Sequence, residues 1–107
     1  MSYEVVILPR AKIQLYNSAL WWAENRSQRQ AADWLIGFET AITSLADTAN
    51  TQPVARESSA FPFVVRQLIY GLGRSKTHRA VFEIRGDKVL IFAIRHLSQQ
   101  DLTSDDH

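Results

Sequence analysis

The sequence predicts one α+β domain in the order β-α-α-β-β-β: an antiparallel helical hairpin packed on a twisted, largely antiparallel four-stranded sheet. A short β-branched run opens the chain, two stretches of helical periodicity follow, and three apolar runs punctuated by glycines fill the second half. Helices grouped before strands place the helical pair on one face of the sheet. The 107 residues, 46% hydrophobic, suffice for one buried core and are too few for two.

Tyr3 to Leu8 (YEVVIL) reads as the first strand, and Pro9 suits the first turn of a helix. In the helix from Pro9 to about Asn25, Ile13, Tyr16 and Leu20 recur at helical spacing, with Leu15, Ala19 and Trp22 beside them. Adjacent Trp21 and Trp22 cannot both point into one core, so one is expected at the edge of the buried stripe. Ser27-Gln28-Arg29-Gln30 has the S-x-x-Q form of a capping box and predicts a second helix. Its apolar positions are Ala31, Trp34/Leu35, Phe38, Ile42 and Leu45, ending near Asp47 to Asn50. Thr48 to Pro62 is polar and aperiodic and reads as a long loop. Strands are expected over Phe63–Tyr70, Lys76–Arg85 and Val89–His96, the last two joined by a tight turn at Gly86-Asp87. Residues 1–97 form the expected domain, and the polar residues 98–107 a flexible tail.

Composition excludes several chemistries. The chain has no cysteine, hence no disulfide, thiol nucleophile or Cys-ligated zinc, which fits a reducing cytoplasm. Its start has no signal-peptide character, and no apolar run is long enough to span a membrane. The three histidines lack ligand spacing, so neither a metal nor another cofactor is expected. The net charge of +1 conceals an uneven distribution. Arg66, Arg74, Lys76, Arg79, Arg85, Lys88 and Arg95 fall between residues 66 and 96 against only Glu83 and Asp87, whereas the last eleven residues hold three Asp and no Lys or Arg.

Strand alternation puts Ala80, Phe82 and Ile84 on the face that meets the helices, and Arg79, Val81 and Glu83 on the other. Arg79 is therefore expected to project from an uncovered side. Arg95 and His96 end the last strand on opposite faces, and Arg66 sits mid-strand, where a charge needs solvent or a partner. One reading gathers Arg66, Arg79 and Arg95, with His96, into a basic concave surface rimmed by Arg74 and Lys76, since arginine suits bidentate recognition of phosphate. The plainer reading is a solvated sheet face partly paired with Glu83 or Glu57. An exposed Trp21 or Trp22 can mark a partner groove.

The segments VVILPRA, WWAENRSQRQAADWLIGFETAITSLAD, VRQLIYG and HRAVFEIRGDKVLIFAIRH, in that order, resemble toxins of the RelE/ParE superfamily over nearly the whole chain. The resemblance implies the same two-helix, antiparallel-sheet fold and a cytoplasmic toxin of a type II toxin–antitoxin module. It also implies a cognate antitoxin that wraps the toxin, with Trp21 and Trp22 as its contact, and either a homodimer or a toxin–antitoxin hetero-oligomer. RelE-like members cut mRNA on the ribosome without a metal; here Arg79 and Arg66 match the phosphate-holding positions, with His96 or Glu57 as general base. ParE-like members poison DNA gyrase and have no known hydrolytic chemistry. The chain lacks the tyrosine after the last strand and the lysine-rich second strand of RelE-like ribonucleases, and its close, AIRHLSQQDL, is more ParE-like. A ParE-like gyrase poison is therefore favoured. The alternatives are a RelE-like endoribonuclease and a non-toxic binding domain.

Overall fold

The structure, a computed structural model, describes residues 2–107. Strand β1 (Glu4–Ile7) leads into α1 (Pro9–Asn25), α2 (Gln28–Thr43) and a one-turn α3 (Leu45–Thr48), followed by β2 (Arg66–Tyr70), β3 (His78–Arg85) and β4 (Lys88–His96). The sheet order is β1-β4-β3-β2. The β2–β3 and β3–β4 pairs are antiparallel, and β1 joins the far edge parallel to β4. The fold class is the expected one. No helix among the described residues is long and apolar enough to cross a membrane.

The local signals act as their chemistry requires. Pro9 fills the first turn of α1, where its missing N–H costs nothing. Ser27 Oγ accepts the Gln30 N–H at 3.0 Å, the first half of the predicted capping box. Gly86, at φ 61°, occupies the first position of the two-residue β3–β4 turn, a conformation other residues adopt only at a cost. On α2, Ala31, Trp34, Phe38 and Ile42 are buried as predicted, joined by Leu45.

The stripe on α1 is corrected. Ala11 and Leu15 are buried, with Ala19 and Trp22 half-buried beside them, whereas Ile13, Tyr16 and Leu20 face solvent. The helix carries two apolar stripes. The one with two alanines turns inward, because small side chains let α1 approach α2 and β4 closely.

The second correction concerns the other face of the sheet, expected to be open. Val81, Phe92 and Ala93 on that face are covered by Ala55, Phe61 and Val65 from the long connection and by Leu102 from the tail, with Leu8 and Phe63 at the margin. The 48–65 connection is not one structureless loop. It contains short 3₁₀ turns at Ala49–Thr51 and Arg56–Ala60 and an antiparallel bridge between Val54 and Arg66. The tail lies against the domain: Asp101 pairs with Arg56, Asp106 lies 3.7 Å from Arg10, and His107 Nε2 lies 3.3 Å from buried Glu83. The His107 ring rests against Phe63 and Phe92, with centroids 5.0 and 4.7 Å apart. A β-bulge admits Phe92 to this second core. Ala93 pairs with Val81 and Ile91 with Phe82, so Phe92 is the extra residue and lies on the same face as Ala93.

Helix α2 meets the sheet edge closely at Gly37. A Cβ there would lie 2.1 Å from the Tyr70 hydroxyl, which donates to Trp34 O at 3.1 Å while its ring stacks on Phe38 at 4.6 Å. Gly37→Ala is expected to destabilise the chain by about 1–2 kcal/mol, overpacking outweighing the roughly 1 kcal/mol that alanine gains in a helix. Urea denaturation checks this, and the same substitution in a Tyr70→Phe background should cost less than half as much.

Candidate functional site

Two regions hold the chemistry-bearing side chains, one on each face of the sheet. On the face away from the helices, Arg79 and Glu57 are each 3% exposed. The Arg79 guanidinium donates from Nη1 to Glu57 Oε1 at 2.8 Å and from Nη2 to Glu57 Oε2 at 2.5 Å, a bidentate pair. Nη1 also donates to Gln67 Oε1 at 2.9 Å, and the Leu102 N–H donates to Glu57 Oε2 at 3.0 Å. Burial alone pushes the Glu57 carboxyl upward. The hydrogen bonds from Arg79, Leu102 and its own backbone, together with the Arg79 charge, outweigh this and bring it down to about 2. Arg79 thus lies on the face that alternation predicted, but sealed beneath the connection and the tail rather than presented to solvent.

The other predicted cations do not assemble around it. Arg66 pairs in register with Phe82, which places it on the helix-side face, where Nη1 donates to Gln52 O at 2.7 Å. Arg95 stands opposite Arg79 on β4 and donates to Gln100 O at 2.5 Å. Arg74 and Lys76 are exposed on the turn between β2 and β3. His96, the proposed base, lies on the opposite face from Arg79. The basic concave surface is therefore not formed: its members divide between the two faces, and the central one is internally paired.

The second region is a groove of about 440 Å³ between the C-terminal half of α1 and the ends of β3 and β4. Trp21, Trp22 and Arg26 form one wall, and Thr77, His78 and His96 the other. Trp22 lies nearly parallel to buried Trp34 at 6.4 Å, and Trp21, 51% exposed, stands edge-on to Trp22 at 5.6 Å. Of the two tryptophans, Trp21 is thus the one at the edge. His78 and His96 are cross-strand partners with ring centroids 5.1 Å apart. His78 Nδ1 lies 2.8 Å from Thr77 Oγ1, and the ring sits edge-on to Trp34 at 4.9 Å. Burial, reinforced by the proximity of His96, lowers the His78 pKa to about 4, so His78 is neutral at physiological pH. His96 Nδ1 accepts the Ser98 N–H at 3.1 Å, which places the proton of the neutral ring on Nε2. Aromatic walls with a guanidinium and two imidazoles at the rim suit an apolar or aromatic side chain of a protein partner. Among the described residues no group of three or more His, Asp, Glu or Cys is placed to hold a metal.

His78, Thr77 and Arg26 were not singled out from sequence. His78 shares its strand parity with Ala80 and Phe82, which points it to the helix side, and that signal was available.

A two-helix layer on a four-stranded sheet of order β1-β4-β3-β2 is an α+β fold that also occurs in a solved structure. A solved chain from the chromosomal ParDE TA system of P. aeruginosa has this fold with a TM-score of 0.72 and 20% sequence identity, the match covering 91% of the present chain and 98% of that one. No family model matches the sequence, and no curated protein does.

Proposed function

We propose that this chain is the toxin of a type II toxin–antitoxin module and that it acts as a ParE-like poison of DNA gyrase, through surface binding rather than hydrolysis. The observation that carries the reading is the burial of Arg79. A phosphate-cleaving site needs cations free to meet a developing negative charge, and here the cation at the matching position is held bidentate by Glu57 with Gln67 behind it. The likeness to a chain of a ParDE TA system supports the same branch. In this reading the Trp21–Trp22 groove receives a segment of the cognate antitoxin.

Purified chain added to gyrase and relaxed plasmid tests the target. The expected result is loss of supercoiling with accumulation of cleaved DNA on the enzyme. Unaffected gyrase together with mRNA cut on programmed ribosomes would reverse the assignment. The groove has its own test. Trp21→Ala is expected to weaken binding of the purified antitoxin about tenfold or more by calorimetry, with thermal stability unchanged because the residue is half exposed. Unchanged affinity would remove Trp21 from the contact.

A further inference from the structure

We propose that α1 carries a self-association surface whose occupant is a second copy of this chain, docked α1 against α1 about a two-fold axis. Ile13, Tyr16 and Leu20 are 62%, 48% and 56% exposed. At 3.6 residues per turn they fall within an arc of about 60° on the side of the helix opposite Ala11, Leu15 and Trp22. An amphipathic helix with one core to cover needs one apolar stripe; α1 has two, and within this chain the outer one faces only water. A row of large apolar side chains on a surface marks an interaction site.

The charges beside the stripe identify its occupant. Arg10 lies at its N-terminal end and Glu24 at its C-terminal end, about 21 Å apart along the axis at 1.5 Å per residue. Both are exposed. In an antiparallel pair centred near Asn17, Arg10 of each copy comes opposite Glu24 of the other, and Ile13 of each comes opposite Leu20. The chain supplies its own complement under a two-fold operation, which is the condition for an isologous interface. Antiparallel alignment also sets the helix dipoles head to tail. A contact between two helices of this length lies at the small end of the range for specific interfaces, so a dissociation constant on the order of 10 µM is expected. This inference does not depend on the toxin reading.

Sedimentation equilibrium of the full chain from about 1 to 300 µM tests it. The expected result is a reversible monomer–dimer equilibrium. Leu20→Glu, at an exposed position, should weaken it at least about tenfold with the circular dichroism spectrum unchanged. Glu24→Arg should weaken it several-fold, as should Arg10→Glu, and the double variant Arg10→Glu/Glu24→Arg should return to within about twofold of the parent. Restoration by double reversal requires that the two positions meet across an antiparallel interface. The proposal is overturned by a chain that stays monomeric at 300 µM, including one whose stripe is covered only by a different protein. It is likewise overturned if Leu20→Glu leaves association unchanged, or if the double reversal gives no recovery.

Discussion

Glu57→Ala is expected to cost about 3–5 kcal/mol of folding stability, the largest effect of any single substitution considered. The loss does not measure the attraction between Glu57 and Arg79. It arises because the substitution leaves a guanidinium, 3% exposed in the native chain, with Gln67 as its one remaining partner and removes the acceptor of the Leu102 N–H. Arginine cannot shed its proton to escape, so the cost falls on the fold. Glu57→Leu/Arg79→Met removes both charges at similar volume and should be much milder than Glu57→Ala, because a buried ion pair stabilises little relative to well-packed apolar groups. Urea unfolding at pH 7 checks both; a loss below about 1 kcal/mol for Glu57→Ala would mean that the pair is solvated. The pH dependence has a definite sign. The folded-state pKa of Glu57 is depressed to about 2 from 4.5, so its contribution is complete above pH 4.5 and is lost as pH falls from there through 2.

His78 acts in a different window. Its folded-state pKa is depressed to about 4 from 6.5, which for a histidine means that the unfolded chain binds the proton more readily. Stability is therefore undiminished above about pH 6.5 and declines as pH falls toward 4, by an amount on the order of 2–3 kcal/mol. The physical cause is that a proton on this ring must be accommodated in a site 8% exposed, against Trp34 and beside His96. His78→Phe should keep the ring packing and remove this part of the slope. Thermal unfolding followed between pH 7.5 and 4.5 reads the difference, because the Glu57 contribution is constant in that window. A parent and variant of equal slope would show that His78 can charge within the fold.

The division between what was legible in the sequence and what was not follows from the range of each interaction. Local signals placed the elements: Pro9, the Ser27 cap, the α2 periodicity and the Gly86-Asp87 turn each act within a few residues. Alternation along β3 assigned Arg79, Val81 and Glu83 to one face and Ala80, Phe82 and Ile84 to the other, as found. It could not show that the Arg79 face is covered. The cover is built from Phe61 and Phe63, which flank Pro62, and from Leu102, a lone apolar residue in the polar tail; none belongs to a period, and their position depends on long-range contacts such as that of Leu102 N–H with Glu57. The β-bulge was equally hidden. A regular two-residue turn between Arg85 and Lys88 sets His78 opposite Arg95; the extra residue Phe92 shifts the far half of the hairpin so that His78 meets His96 and Arg79 meets Arg95. The histidine pair in the groove depends on that shift. On α1 the difficulty was different: two apolar stripes satisfied the same periodicity, and only the packing distance to α2 and β4 selected the one with small side chains.

The central physical claim is that Arg79 holds the second core together and does not meet a target. Growth arrest on induction of the folded Glu57→Leu/Arg79→Met variant tests it most directly. The expected result is arrest as strong as with the parent chain at equal expression. A variant that is folded and equally abundant, yet lets the cells grow, would contradict it and return Arg79 to the site of action.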